Sequence, residues 1–413
     1  MPVVYGLGAV AEIGHHARAL DLERVLVVTD RWVAATAVVD DVSASLTEAG
    51  VETVVWSGTA VEPTEASVRR GVDELTGERF DGVVAVGGGS AVDTAKLLNL
   101  LLACPGELTD FVPAPRGGGR RATGPLPSLI GVPTTSGPGA ECTPAAAVDI
   151  PGLGGKVSVV DPAMRPALAV VDPLATLDAP PAVTASAGYD ALVQSVESYT
   201  SRPFDRVPAI PSHRRPPMVG ANPLSDPWCE RAIELCGRYL ARAVHHGHDV
   251  EARVGMSQAA LFSRLGAAGA HVPHALGAAI AAEARDHRPD GFDGLDRPLV
   301  PHGQSVVGAA AEAFAFTHSG APERHDTAAR LLGAPADEID DGDGRALGRR
   351  IRQLVEATGG PVGIAAFGLT EQDVPALARR AAGQGRLLPR SPRPVTEDDL
   401  TAILLSGLYG KLR

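Results

Sequence analysis

Asp190 and Gln194, in "DALVQSVESYTS", stand four residues apart, and on a helix that spacing turns both to one side. Further along, "GAHVPHALG" carries His271 and His274 among small apolar residues, and "LVPHGQS" carries His302. A carboxylate joined by imidazoles from separate helices is how a protein holds a catalytic divalent metal with one position open. Taken singly, each histidine also suits a hydrogen-bonded place in a core. A histidine at 194 would complete a ligand pair with Asp190, whereas an amide is a poorer ligand for iron or zinc. Gln194 is therefore read as a weak fourth ligand or as a donor of its amide N–H to a substrate alkoxide.

A second group suits a nucleotide. "GGGSAVDTAK" (Gly87–Lys96) follows an apolar run and opens a helical pattern. Its glycines let the backbone approach a ligand closely, and the new helix offers unpaired N–H groups to an anion such as a pyrophosphate. It is not the GxGxxG fingerprint, and a tight strand–helix turn is the plainer alternative. "PTTSGPGAECT" (Pro133–Thr143) adds the hydroxyls of Thr134 and Thr135. Asp30 ends "VVTD", where an acid meets a ribose hydroxyl and repels a 2′-phosphate, or caps a helix. Arg31 beside it weakens that discrimination.

These residues need elements to hold them. "RVLVVTD", "VETVVW", "GVVAVGGGS", "SLIGVPTT" and "ALAVVDP" read as buried strands. "TEASVRRGVDEL" and "AVDTAKLLNLLLA" between them read as helices, and such alternation implies a parallel sheet covered on both faces. From about residue 179 the strand signals fade into Ala- and Leu-rich helical patterns. The expected division is a dinucleotide-binding α/β domain over 1–178 and an all-α metal and substrate domain over 179–413. Two long breaks, 202–226 and 285–303, interrupt the helical part.

Composition narrows the class. The chain has 413 residues, enough for two domains, and a formal charge of −12, which disfavours nucleic acid as a partner. No apolar run is long enough to span a bilayer. The beginning, "MPVVYGLGAVAEIG", lacks a signal-peptide pattern, so the expected location is cytoplasmic. Four scattered cysteines read as buried thiols.

In order, "GGGSAVDTAK", "PTTSGPGAECT", "GYDALVQSVESY", "HALG" and "PHG" resemble the iron-containing (group III) alcohol dehydrogenases over nearly the whole chain. "NPLSDPW", "RPLVPHGQSVV" and "RLLPRSPRPVTEDDL" look like the hydroxyacid-oxoacid transhydrogenase subgroup. The resemblance implies the dehydroquinate-synthase-like fold with its active site in the cleft between two domains. It implies NAD rather than NADP, and Fe2+ or Zn2+. It assigns Gly87, Gly88, Gly89, Ser90, Asp93, Thr134, Thr135 and Lys156 to the cofactor, with Asp30 at the adenosine ribose. The metal positions map to Asp190, Gln194, His274 and His302. His274 is preferred to His271 because the family ligand directly precedes the "ALG" turn, and a further family histidine, implicated in proton relay, falls on Ala278.

The expected activity is NAD-dependent hydride transfer between a small alcohol, of anionic or hydroxyacid type, and its aldehyde or ketone. In the subgroup, 4-hydroxybutyrate is oxidised while 2-oxoglutarate is reduced on a bound nicotinamide. Competing readings are a metal-independent reductase of the maleylacetate reductase type and an inactive nucleotide-binding or structural homologue. An anionic substrate needs a cation, for which Arg202, Arg206, Arg214 and Arg215 are candidates; a solvated loop or a subunit contact is the plainer role for them. A homo-oligomer, a dimer, is expected.

Overall fold

The computed structural model describes residues 2–207, 220–284, 286–292, 294–340 and 342–410. It divides into two compact units, Met1–Thr135 with Gly139–Ala179, and Ser136–Pro138 with Pro180–Arg413. Arg214 and Arg215 lie outside the described residues.

The first unit is built on β1 (Val3–Tyr5), β2 (Arg24–Val28), β3 (Glu52–Trp56), β4 (Gly82–Gly87), β5 (Ser128–Pro133) and β8 (Leu168–Val171). They form a parallel sheet in the order β1-β8-β5-β4-β2-β3. Helices α1 (Ile13–Ala19), α2 (Ala37–Glu48), α3 (Glu65–Leu75) and α4 (Gly89–Ala103) supply the connections. Alternate residues of one strand serve opposite cores, as the two-residue period requires. Val25 and Val27 of β2 pack with Ile13, Val42 and Leu46, whereas Leu26 and Val28 pack with Val68, Val92 and Leu98. Burial on both faces is why these strands read as continuous apolar runs.

Three strands were not expected. β1 has only Val4 half-buried between two exposed residues, so it presents no apolar run. The others, β6 (Ala145–Ile150) and β7 (Gly155–Val160), form an antiparallel hairpin of their own. Each buries alternate residues, and the three alanines of β6 carry little strand preference.

The order of the sheet sets where a ligand fits. From β2 the chain moves outward to β3, then returns to β4 on the other side of β2 and continues to β5. Between the carboxyl ends of β2 and β4 the loops therefore diverge, which is the switch point where open α/β sheets bind ligands.

The second unit is helical. Its centre is α6 (Pro181–Thr200), buried along nearly its whole length and packed against α7 (Asp226–His245), α8 (Val250–Leu265) and α10 (His302–Val307). A helix with apolar and small residues all round has no face for solvent, and that places α6 inside. α9 (Val272–Glu283) lies against α10. The four cysteines are free, three of them buried. No helix among the described residues is long and apolar enough to cross a membrane.

Candidate active site

In the first unit, Gly87 ends β4 with φ +152, and a Cβ there would stand 2.6 Å from Ala91 Cβ. Only glycine allows the strand to turn so tightly into α4. Gly88 is the N-cap and offers no side chain, so the first N–H groups of α4 receive no side-chain cap. That leaves them directed at any anion bound there. Thr135 lies against Gly88, its Oγ1 3.3 Å from where a Cβ would stand, and the Thr134 N–H donates to Gly87 O at 3.0 Å.

Asp30, at the end of β2, fixes the next turn with one carboxylate oxygen and turns the other to the glycine loop. Its Oδ1 accepts from the N–H groups of Trp32 and Val33, both at 2.9 Å, fixing the turn that follows. Its Oδ2 lies 3.7 Å from the position of a Cβ on Gly87 and so faces the glycine turn across the switch point. Burial raises its pKa, and the Trp32 and Val33 bonds oppose this. The Arg31 guanidinium stacks 4.4 Å over the Trp32 ring.

Three other residues assigned to the cofactor have protein partners. Asp93 Oδ2 accepts from Ala147 N–H at 2.9 Å and Oδ1 lies 3.4 Å from Lys96 Nζ, so both oxygens serve the fold. Ser90 Oγ accepts from Glu62 N–H at 3.0 Å. Lys156 pairs with Glu62. Lys96, which sequence reasoning missed, is wholly buried and donates to Ala140 O, Thr143 Oγ1 and Ala145 O at 2.7, 3.0 and 2.7 Å. It fastens the "PGAECT" turn to α4; a lysine inside the apolar run "TAKLLNLLLA" was the available signal.

In the second unit, Asp190, His274 and His302 converge. One ligand atom from each can be chosen so that all lie within 4.8 Å of one another. His274 Nε2 is 3.3 Å from Asp190 Oδ1, and His302 Nε2 is 3.7 Å from Asp190 Oδ2. Two glycines allow the helices this close. A Cβ on Gly303 would overlap Ser186 O of α6 at 1.8 Å, and one on Gly277 of α9 would stand 2.8 Å from Val306 Cα of α10. One carboxylate and two imidazoles are a donor set suited to a divalent transition metal, and three protein ligands leave a position open.

Glu197 orients the centre, and it too was missed. It is fully buried, one further turn along the stripe that carries Asp190 and Gln194. Its Oε1 accepts from the N–H groups of His271 and His274 at 2.8 and 3.1 Å, capping α9. Its Oε2 accepts from His274 Nδ1. With one proton held at Nδ1, His274 directs Nε2 to the centre, where a metal would take the place of the second proton. Burial alone would raise the Glu197 pKa, but the charge and hydrogen bond of His274 outweigh it and hold it low. For His274 burial works downward, while the Glu197 charge and bonds to Asp190 and Glu197 raise it to about 10.

His271 has a different task. Its Nδ1 accepts from Val272 N–H at 2.8 Å and its Nε2 meets Thr200 Oγ1 at 3.3 Å, so both ring nitrogens are engaged within the core. Burial pushes it down to about 4, and it stays neutral.

Gln194 has a partner within the protein. Its Nε2 donates to Ser263 Oγ and Ser263 O at 3.2 and 3.4 Å, and Ser263 Oγ in turn donates to Ala191 O. A carbonyl oxygen only accepts, so the amide nitrogen must face Ser263. The amide nitrogen is therefore held at Ser263 through two acceptors of one residue. What Gln194 retains is its carbonyl oxygen, a weak ligand or an acceptor.

Comparison with known proteins is consistent with both units. The family model for "Iron-containing alcohol dehydrogenase" matches residues 2–173, and the model for "Fe-containing alcohol dehydrogenase family, C-terminal" matches residues 218–408. The mitochondrial hydroxyacid-oxoacid transhydrogenase of Bos taurus is 36% identical over 410 residues, covering 98% of this chain and 88% of its own. That of Rattus norvegicus is 37% identical over 411 residues with the same coverage. Among solved structures, the alcohol dehydrogenase from Oenococcus oeni is 27% identical, superposes with a TM-score of 0.83 and covers 98% of both chains. A 1,3-propanediol oxidoreductase is 26% identical with a TM-score of 0.84, again over 98% of each chain.

Proposed function

The chain belongs to the iron-containing alcohol dehydrogenase family, on its hydroxyacid-oxoacid transhydrogenase branch, and is an oxidoreductase of CH–OH groups; from that premise we propose how it works. The reaction is reversible hydride transfer between a small hydroxyacid-type alcohol and its carbonyl form, with NAD as the hydride carrier. The observation that carries this reading is the convergence of Asp190, His274 and His302.

A nicotinamide supplies the hydride chemistry, and the protein binds and orients it. The glycine turn after β4 and the open N-terminus of α4 suit its pyrophosphate, and Asp30 Oδ2 suits a ribose hydroxyl while repelling a 2′-phosphate. Asp190, His274 and His302 would hold a divalent metal, which polarises a substrate oxygen as a Lewis acid. Glu197 holds one His274 proton on Nδ1 and so directs Nε2 to the centre, where a metal would displace the other proton. Gln194, its amide nitrogen held by Ser263, offers its carbonyl oxygen on the same stripe of α6. Proton delivery by a residue at 278 is closed to this chain, because that position is alanine.

The test is NADH oxidation with a panel of small aldehydes and 2-oxoacids, before and after chelation, with iron and zinc measured on the same samples. The reading expects turnover that falls with metal content and returns on resupply. Full turnover at negligible metal would remove the metal from the mechanism and favour a metal-independent reductase.

A further inference from the structure

Among the described residues, the Arg390 guanidinium has no partner. The chain around it is irregular, a short turn over Leu388–Arg390 that leads by Ser391 to the last helix. Its carbonyl accepts from Arg202 N–H at 2.8 Å, which ties it to the end of α6. Its stem lies on Gly269, with Cδ 2.9 Å from where a Cβ at 269 would be. Any larger residue at 269 would displace the arginine.

Gly269 belongs to the stretch that enters α9. Ala268 N–H and Gly269 N–H approach Ser198 Oγ at 3.2 and 3.5 Å, and two residues later His271 N–H reaches Glu197. Arg390 therefore packs on the same short piece of chain that delivers His274 to its place. Ser198 and Glu197, adjacent on α6, hold the two halves of that piece.

Neither the Arg390 nor the Arg202 guanidinium makes a hydrogen bond or an ion pair with any described residue, and both side chains are half-buried. Arg324 and Arg380, also half-buried in this unit, are each paired with a carboxylate, Arg324 with Asp226 and Arg380 with Glu283. A partly desolvated guanidinium without an anion is costly to keep. Burial and the neighbouring charge of Arg386 both push the Arg390 pKa down, and no carboxylate opposes them.

We propose that Arg390, with Arg202 beside it, is the anion-binding end of the substrate site and receives the carboxylate of a small hydroxyacid or oxoacid. The geometry is the ground for it: an unpartnered fork of N–H donors, seated on the loop that carries the metal-binding histidine. A planar guanidinium matches a carboxylate through two parallel hydrogen bonds, which a lysine does not reproduce. Of the arginines that the sequence offered as candidate cations, Arg202 is, among the described residues, the member tied to Arg390.

The assignment rests on the hydride-transfer reading, and the experiment keeps the two apart. Holoenzyme and the variants Arg390→Gln, Arg390→Lys and Arg202→Gln are compared on a four-carbon hydroxyacid and on the uncharged diol of the same length. Succinate binding is followed by calorimetry in the same proteins. Arg390→Gln is expected to raise KM for the hydroxyacid and Kd for succinate about 10- to 100-fold, the worth of a charge-assisted bond. Its kcat/KM for the diol stays within about twofold, while Arg390→Lys recovers part of the loss and Arg202→Gln shows a smaller effect. Equal loss on both alcohols, or no change on either, overturns the proposal. If wild type oxidises no alcohol, the reaction reading fails, and this site is decided by succinate: loss of binding in Arg390→Gln sustains it, and unchanged or absent binding overturns it.

Discussion

In the first unit, Lys96, Asp93, Ser90 and Lys156 turn to protein partners, and what remains facing the switch point is mostly backbone: a glycine turn and the open end of α4. In the second unit, Asp190, His274 and His302 direct side-chain atoms at one another across three helices. The first arrangement suits a ligand read by shape and by N–H groups that any sequence with the right turn would offer. The second recognises by chemical type, since each ligand atom belongs to a named side chain. Substitutions should therefore act differently in the two places: indirectly, through the fold, in the first unit, and directly, through affinity, in the second.

Lys96→Met gives the largest expected effect and tests the first half of that contrast. Removing one member of a buried charged group strands the carbonyls of Ala140 and Ala145 and the Asp93 carboxylate. A loss of about 3 kcal/mol in stability is expected. Urea unfolding with paired metal and NADH titrations checks it: stability and NADH affinity should fall while metal affinity holds. Glu197→Gln comes next. It should weaken metal binding about 10- to 100-fold, the usual consequence of losing the partner that orients a ligating imidazole. A shifted visible spectrum of the cobalt-loaded protein would accompany it, and an unchanged spectrum and affinity would confine Glu197 to capping α9.

The smallest effect is expected for Gln194→His. It replaces an amide oxygen by an imidazole and should tighten metal binding about tenfold. Metal competition with a chelating dye measures it. Unchanged affinity would mean that Ser263 holds residue 194 away from the metal whatever its type.

Much of the sheet was legible because burial on both faces writes itself as apolar runs; "RVLVV" and "GVVAVG" have no other reading. β1 was not, since two of its three residues face solvent, and the β6–β7 hairpin was hidden in alanine. At the site, Asp190 and Gln194 advertised themselves by spacing. Glu197 shares that stripe at seven residues from Asp190, but a lone glutamate on a helix ordinarily signals a solvated face. Its role follows only from the approach of His271 and His274, which are distant in sequence. The choice between those two histidines was carried by resemblance, and their hydrogen bonds give it a physical reason: His271 uses both nitrogens in the core, while His274 keeps Nε2 toward Asp190. Arg390 is the least legible, because "LLPRSPRP" contains two arginines and nothing in it marks the one unpaired among the described residues.

The account turns on the second unit being a metal centre. Calorimetric titration of the metal-stripped protein with Fe2+ under anaerobic conditions, and with Zn2+, beside the variant Asp190→Ala, tests this most directly. Saturable binding of a single ion per chain that is lost in Asp190→Ala, with helical content unchanged by circular dichroism, is the predicted result. Absence of saturable binding in the wild type, or equal binding in the variant, would contradict it.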